Sequence, residues 1–179
     1  MSVKRTDGGG GKRIPTVVTF LEMKARPSLL APLPKGKIAL LRAENPPVHF
    51  YRYLYDEIGR DYQWVDRKKL SDEQIAGILG APGVELYVLY ADGCPAGMAE
   101  LDFRNEGSCN LAYFGLMPEY IGRGLGFFFL AQTVELAWGR AIDRFTVNTC
   151  TLDHRRALPL YQRVGFQPYS REERYIELR

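Results

Sequence analysis

Regular spacings of apolar residues divide the chain into strands and helices. Stretches rich in β-branched and apolar residues, or with apolar residues at every second position, predict strands. These lie at 16–23, 37–42, 84–90, 95–104, 111–116, 144–149, 166–170 and 174–178. Apolar spacings of three and four predict helices over 48–58, 124–140 and 157–164. The capping-box pattern Ser71-x-x-Gln74 predicts a further short helix that runs to Leu79.

The order of these elements predicts the fold class. Three successive strands between residues 84 and 116 are separated by tight turns at Asp92-Gly93 and Asn105-Glu106-Gly107, which is typical of an antiparallel meander. The strand at 111–116, the long helix and the strand at 144–149 then imply a right-handed βαβ unit with parallel pairing. We therefore expect a mixed α/β domain.

Length, composition and charge indicate one globular domain. The chain has 179 residues, of which 46% are hydrophobic and 25% are charged, as is ordinary for soluble domains. Residues 1–13 contain a four-glycine run with four basic residues and one acidic residue, which account for the formal net charge of +3 of the whole chain. We predict a disordered basic tail over 1–13 and a single domain over 14–179. Because the remainder is neutral, no nucleic-acid partner is expected.

The cysteines, histidines and apolar runs bear on metal binding, cellular compartment and membrane association. Cys94, Cys109 and Cys150 form no Cys-x-x-Cys pair, and the two histidines are isolated, so no metal site is expected. An odd number of cysteines without a secretory leader suits a reducing cytoplasm, where we expect the protein. No apolar run approaches the ~18–20 residues needed to cross a bilayer, so no membrane partner is expected.

Three glycines lie between the strand at 111–116 and the long helix. Gly122, Gly124 and Gly126 allow the backbone to approach a ligand without side-chain clashes. The helix that follows directs unpaired N–H groups and its positive dipole end at the same place. Such a site binds an anion, most simply a phosphate or pyrophosphate. The pattern is neither a Walker A loop nor Gly-x-Gly-x-x-Gly, and a glycine-rich connection that serves only packing is the alternative.

Two segments together resemble the sequence marks of the GNAT superfamily of N-acetyltransferases. The segment 118–126, Pro-Glu-Tyr-Ile-Gly-Arg-Gly-Leu-Gly, resembles the family's acetyl-CoA loop, Gln/Arg-x-x-Gly-x-Gly/Ala. Gly124 and Gly126 match the two glycine positions, whereas Ile121 stands where the family has Gln or Arg. The segment 157–166, Ala-Leu-Pro-Leu-Tyr-Gln-Arg-Val-Gly-Phe, resembles the second mark, Ala-x-x-Leu-Tyr-x-x-x-Gly-Phe. The resemblance covers roughly residues 84–179.

The resemblance implies a fold and a cosubstrate. The fold is a GNAT-like mixed, mostly antiparallel central sheet with helices on both faces and a splay between the two central strands. The cosubstrate is acetyl-CoA, used without a metal, with its pyrophosphate on the glycine loop and its pantetheine arm along the strand at 111–116. A free N–H near Leu116 would then face the thioester oxygen. The predicted coenzyme contacts are Leu116, Ile121, Gly122, Arg123, Gly124, Leu125, Gly126 and His154. His154 stands where the family usually has an asparagine.

Tyr161 and Glu100 are the predicted catalytic residues. Transfer of an acyl group from a thioester to an amine requires the amine to lose a proton and favours protonation of the departing thiolate. Tyr161 matches the family tyrosine near the coenzyme sulfur and is the predicted acid, although its place on the apolar face of helix 157–164 also suits core packing. Glu100 is the predicted base, with Asp102 and Glu119 as alternatives.

Aromatic residues between positions 48 and 64 are the predicted acceptor contacts, because this region often walls the acceptor site in the family. The candidates are Tyr51, Tyr53, Tyr55 and Trp64, and core packing is the alternative.

The predicted function is transfer of an acetyl group from acetyl-CoA to a primary amine, on a small molecule or a peptide, by direct attack in a ternary complex. Dimers are frequent in the family, which leaves a homodimer open. A non-catalytic acyl-CoA-binding regulatory domain is the alternative, since Ile121 and His154 depart from the pattern. A protein-interaction domain with purely structural glycines is the third reading.

Overall fold

Seven strands and four helices make up the described part of the chain. The structure, a computed structural model, describes the backbone of residues 12–178 and the side chains of residues 13–176. The strands are β1 (Lys12–Met23), β2 (Ile38–Ala43), β3 (Val84–Ala91), β4 (Cys94–Asp102), β5 (Ser108–Leu116), β6 (Arg144–Cys150) and β7 (Gln167–Leu178). The helices are α1 (Val48–Gly59), α2 (Asp72–Leu79), α3 (Leu125–Trp138) and α4 (Ala157–Arg163). None of these helices is long and apolar enough to span a membrane.

All seven strands form one sheet in the order β2-β3-β4-β5-β6-β1-β7. Every neighbouring pair is antiparallel except β5 and β6, which are parallel and joined through α3. The predicted meander and βαβ unit are therefore confirmed, as is the mixed, mostly antiparallel sheet. The first strand of the chain, β1, lies between β6 and the last strand, and it is antiparallel to both.

Helices cover both faces of the sheet, as predicted. On one face, α3 and α4 bury a cluster that includes Phe129, Phe145 and Phe166. On the other face, α1 and α2 bury a second cluster that includes Leu54 and Ile75. Successive strand residues supply the two clusters alternately, because side chains of a strand point to opposite faces in turn.

The two central strands diverge after a short parallel ladder. Residues 108–111 of β5 pair with residues 144–147 of β6. Beyond them the two strands are no longer paired, although β5 continues to Leu116 and β6 to Cys150. A bulge accompanies the divergence: Leu111 lies opposite Leu101 and Tyr113 opposite Glu100, so Ala112 has no opposite residue in β4. Such an extra residue bends its strand and increases the local twist. The predicted splay is thus present.

Two details differ from the sequence prediction. The predicted strands at 166–170 and 174–178 are one continuous strand, β7, because residues 171–173 keep their pairing with residues 17–19 of β1. The predicted tail, 1–13, lies outside the described residues except for Lys12 and Arg13, which begin β1.

Candidate active site

A cavity of about 1010 Å³ follows the divergence of β5 and β6. One side is formed by residues 111–116 of β5, and the other by residues of β6, the loop after it, and α4. The glycine loop before α3 lines one part of the cavity, and the connection between α1 and α2 lines another, called here the aromatic end. The splay therefore opens into one cavity that both segments line.

The glycine loop has the geometry of an anion site. Gly122 and Gly124 have φ angles of +85° and +79°, and a Cβ on either would project into open space. Only glycine adopts such left-handed conformations without strain. Helix α3 then begins at Leu125 without a side-chain cap and without an acidic residue in its first turn. The N–H groups of that turn are consequently available for an anionic ligand.

Basic side chains accompany the loop. Arg163 and Arg156 line the cavity, and the guanidinium of Arg163 lies 4.0 Å from the ring centroid of Phe127, in the first turn of α3. The guanidinium of Arg123 lies 4.9 Å from the ring centroid of Tyr120. Sequence reasoning missed Arg156 and Arg163, because it did not establish which face of α4 meets the start of α3.

The predicted coenzyme contacts divide into two groups. Those that line the cavity are Leu116, Ile121, Gly122, Gly124, Gly126 and His154. Arg123 and Leu125 do not line it, and Leu125, the first residue of α3, is buried in the core. The loop thus presents backbone and glycine surface to the cavity more than side chains.

The free end of β5 offers backbone donors and acceptors to the cavity. The amide of Met117 donates to the carbonyl of Ala96, at 2.9 Å, and Leu116 lies opposite Gly97 in the ladder. Hydrogen-bonded and non-hydrogen-bonded pairs alternate along an antiparallel ladder. The amides of Leu116 and Phe114 therefore point away from β4, towards the side that β6 has left. This geometry provides the N–H that we predicted near Leu116.

Tyr161 combines core packing with a place on the cavity wall. Its ring lies edge-on to Phe114 and Phe166, with centroid distances of 6.4 Å and 6.0 Å, and the residue is 6% exposed. Among the described side chains, residues 13–176, its hydroxyl has no hydrogen-bond partner. Burial raises the pKa of Tyr161, and the nearby charge of Asp153 adds to this effect. The phenol is therefore protonated at neutral pH and able to donate a hydrogen bond.

The turn after β6 fixes an aspartate and a histidine at the cavity. Asp153 accepts hydrogen bonds from the hydroxyl of Thr149 (2.7 Å) and the amide of Cys150 (2.8 Å). The amide of Arg156 donates to Nδ1 of His154, at 3.1 Å. A neutral imidazole that accepts at Nδ1 carries its proton on Nε2. His154 can thus donate a hydrogen bond, as the family's asparagine would.

An aromatic group borders the aromatic end of the cavity. Trp64 and Tyr55 both line it, with ring centroids 5.3 Å apart, and the ring centroid of Tyr113 lies 5.1 Å from that of Trp64. A Cβ on Gly59 would overlap with Trp64, and one on Gly115 would overlap with the Ile58 side chain. These two glycines allow α1 and the indole to lie directly against the sheet.

Two further predicted residues lie behind this aromatic group. Tyr51 and Glu100 are each 1% exposed, and neither lines the cavity. Glu100 accepts hydrogen bonds of 2.5 Å from the Tyr51 hydroxyl and from the Arg67 guanidinium. Catalysis by Glu100 and acceptor contact by Tyr51 stay predictions, and a base role would require Glu100 to give up its ion pair.

The carboxylates that line the cavity are not the two that the sequence offered as alternative bases. Asp102 pairs with Arg104 at 2.6 Å, which lowers the pKa of Asp102. Glu119 is exposed, and neither of these two alternatives lines the cavity. Asp66 and Asp153 do line it, although no sequence motif marked either. Among the described residues, no group of three or more His, Cys, Asp or Glu side chains could hold a metal ion.

Comparison with known proteins places these features in a family. The sequence model of the Acetyltransferase (GNAT) family matches residues 51–166. No curated protein sequence is significantly similar to the chain.

Solved structures share the fold at low sequence identity. A functionally unknown conserved protein from Staphylococcus epidermidis is 15% identical, with a TM-score of 0.65, over 92% of this chain and 62% of that one. A GCN5-related N-acetyltransferase from Kribbella flavida is 18% identical, with a TM-score of 0.61, over 88% and 56%. An IAA acetyltransferase from Bacillus cereus is 22% identical, with a TM-score of 0.55, over 75% and 79%. The chain therefore spans less than two thirds of the length of the first two.

Proposed function

Because the chain belongs to the GNAT family of acetyltransferases, we propose that it transfers an acetyl group from acetyl-CoA to a primary amine by direct attack in a ternary complex. Membership of the family supports acyl transfer in general. Acetyl-CoA as the cosubstrate, a primary amine as the acceptor and direct attack in a ternary complex are what we propose beyond it. The observation that carries the proposal is the cavity at the splay, lined both by the loop before an uncapped helix N-terminus and by an aromatic wall.

The residues of the cavity fit an acyl-CoA. The glycine loop leaves open space where side chains at Gly122 and Gly124 would project, and the amides of α3 beside it have no side-chain cap. Arg163 adds positive charge at the start of α3, which suits phosphate groups. The unpaired edge of β5 offers amides to an extended amide-containing chain, as a neighbouring strand would. Acetyl-CoA supplies an activated acetyl thioester to this site.

Two donors of the chain serve the reacting centre in this proposal. The amide of Leu116, which points into the splay, stabilises negative charge that develops on the thioester oxygen. The hydroxyl of Tyr161 donates to the departing sulfur. Because burial raises the pKa of Tyr161, we assign it hydrogen-bond donation to the thiolate rather than complete proton transfer.

The acceptor amine enters at the aromatic end in this proposal. Tyr55 and Trp64 offer flat apolar contact surface there, and the carboxylates of Asp66 and Asp153 lie on the same cavity. Carboxylates attract an ammonium group, and aromatic faces do so as well. A primary amine that arrives protonated therefore suits the charges and rings of this end. It loses one proton to water before its lone pair attacks the thioester carbon, and a second after the C–N bond has formed, while the C–S bond breaks and the thiolate leaves.

A thiol-release screen tests the proposal. Acetyl-CoA is incubated with the protein and a panel of amines, namely amino acids, polyamines, aminoglycosides and lysine peptides, and free thiol is measured. We expect release with at least one amine, and loss of most of that release in Tyr161→Phe. Stabilisation by acetyl-CoA with no release for any amine would instead identify a non-catalytic acyl-CoA-binding domain.

A further inference from the structure

We propose that Tyr51, Arg67 and Glu100 form a buried cluster that positions the connection between α1 and α2, and that Glu100 is a positioning residue for the acceptor end. The connection comprises residues 60–71 and is called here the α1–α2 segment. The effect on turnover depends on the proposed function, whereas the effect on the segment itself does not.

The cluster is a closed set of hydrogen bonds. The Arg67 guanidinium donates through Nη2 to Glu100, at 2.5 Å, and through Nε to the Tyr51 oxygen, at 3.1 Å. The Tyr51 hydroxyl donates to the second carboxylate oxygen of Glu100, at 2.5 Å. Each of the three residues therefore bonds to the other two, and the carboxylate uses both of its oxygens.

Burial makes the loss of any one partner of this arrangement costly. Glu100 and Tyr51 are each 1% exposed, and the Arg67 side chain is 16% exposed. A buried carboxylate that loses its charged partner leaves an uncompensated charge, which is strongly destabilising. The Glu100 carboxylate is thus held by Arg67, and it does not line the cavity in this arrangement. A proton taken from an acceptor amine would also weaken the bond to Arg67 by removing the carboxylate charge.

Arg67 connects the cluster to the rest of the aromatic end. Its backbone amide donates to the Tyr55 hydroxyl, at 3.2 Å, and its guanidinium lies 5.1 Å from the ring centroid of Tyr113. One residue of the α1–α2 segment therefore contacts α1, β4 and β5 together. Its sequence neighbours Trp64 and Asp66 line the cavity.

The α1–α2 segment has little regular structure of its own. It contains two single 3₁₀ turns, Arg60–Tyr62 and Arg67–Lys69. Segments with few internal bonds open locally at low free-energy cost unless tertiary contacts hold them. Its ion pairs to α1, Lys68 with Asp56 at 3.4 Å and Arg60 with Glu57 at 3.5 Å, are each about half exposed on both sides and contribute little. The buried cluster is consequently the charged attachment of the segment to the sheet, beside the packing of Trp64 on Tyr55 and Tyr113.

Hydrogen exchange of the α1–α2 segment tests the cluster without any turnover. Glu100→Gln and Arg67→Lys should each speed amide exchange over residues 63–69 by about tenfold to a hundredfold, as expected for the loss of a charged hydrogen bond. Tyr51→Phe keeps the ion pair and should give a smaller increase in exchange. It keeps the test informative if the Glu100→Gln and Arg67→Lys variants do not fold. Acetyl-CoA affinity measured by calorimetry should be unchanged in each folded variant.

Glu85 provides a matched control on the neighbouring strand. It is 4% exposed, accepts a 2.9 Å hydrogen bond from Tyr87 and pairs with Arg42 at 3.3 Å. Glu85→Gln therefore removes a comparable buried carboxylate away from the cavity. It should lower the melting temperature but leave exchange over residues 63–69 as in the wild type.

Kinetics then separate positioning from proton abstraction, once an acceptor is known. Positioning predicts that Glu100→Gln and Tyr51→Phe both raise the acceptor KM, with kcat within about threefold and the acidic limb of the pH–rate profile retained. A large loss of kcat with the acidic limb abolished in Glu100→Gln alone would make Glu100 the base and overturn the proposal. Unchanged exchange over 63–69 in folded Glu100→Gln and Arg67→Lys would also overturn it. If no amine is acetylated, the exchange result still decides the role of the cluster.

Discussion

The ring of Tyr161 lies edge-on to the ring of Phe114, with centroids 6.4 Å apart. Phe114 belongs to the part of β5 that has parted from β6, so this contact fixes α4 against the strand at the splay. The tyrosine ring thereby acts as a core residue, while the residue also lines the cavity. Packing holds the side chain in place, and its hydroxyl is left for a ligand.

Removal of that hydroxyl tests the role of Tyr161. Tyr161→Phe keeps the ring packing, so we expect the melting temperature and the acetyl-CoA affinity to change little. We expect kcat to fall by ~10²-fold, since removal of one hydrogen-bond donor to developing negative charge typically costs about that much. Tyr87→Phe, on β3 away from the cavity, is the control. An unchanged kcat in Tyr161→Phe would reduce the residue to a packing role.

A carboxylate in the glycine loop tests the anion site. Gly124→Glu places a negative charge beside the expected phosphates, and two like charges ~4 Å apart repel by about 4 kcal/mol at an effective dielectric constant of ~20. We expect acetyl-CoA affinity to fall at least a hundredfold in calorimetry. Gly93→Glu is the control, because Gly93 has a similar φ of +88° with open space around a Cβ. Equal effects of the two changes would trace the loss to backbone strain rather than to the site.

The pH dependence of stability follows from the buried tyrosines. Burial raises the pKa of Tyr51, Tyr55 and Tyr161 in the folded state, whereas each is near 10 when unfolded. Above about pH 10 the unfolded chain therefore binds fewer protons, and the free energy of unfolding falls as pH rises. Below that pH the contribution is fully present. For each such group the slope is about 0.7 kcal/mol per pH unit at pH 10 and approaches about 1.4 kcal/mol per pH unit once the unfolded tyrosine is fully ionised.

Urea unfolding between about pH 9 and pH 11 measures this slope. Tyr161→Phe should reduce the total fall of the free energy of unfolding between these two pH values by about 1.4 kcal/mol. An identical slope in the variant would show that Tyr161 titrates equally in the folded and unfolded states, contrary to its buried position.

His154 is predicted to donate a hydrogen bond to the coenzyme from Nε2. His154→Ala should weaken acetyl-CoA binding by about threefold to tenfold, the usual range for one hydrogen bond. His154→Asn should restore most of the affinity, because an amide also donates. His49→Ala, on the exposed side of α1, is the control. Wild-type affinity in His154→Ala would remove the residue from the binding site.

Local sequence patterns were sufficient for most elements and for the glycine loop. The capping box at Ser71 and Gln74 has both of its predicted hydrogen bonds, because such caps depend only on residues three apart. The turn at Asp92-Gly93 likewise has the positive φ angles that its residues favour. Gly122 and Gly124 of the loop have positive φ angles, which glycine adopts without a steric penalty.

Contacts between segments far apart in the chain could not be predicted from the sequence. The place of β1 between β6 and β7 depends on pairing partners more than a hundred residues away, and no periodicity reports a partner. The contact between Arg67 and Glu100 joins a loop to a strand 33 positions later. An apolar–polar pattern marks Glu100 as a strand residue, but it does not show that an arginine covers it. Which carboxylates reach the cavity was unpredictable for the same reason.

The binding of acetyl-CoA to the glycine loop is the central claim, and calorimetry tests it most directly. Acetyl-CoA and free CoA are titrated separately into the wild-type protein and into Gly124→Glu. We predict saturable binding of both ligands at a single site in the wild type and its loss in the variant, with a matching rise of the wild-type melting temperature. The absence of heat and of thermal stabilisation with either ligand, on folded wild-type protein, would contradict the account.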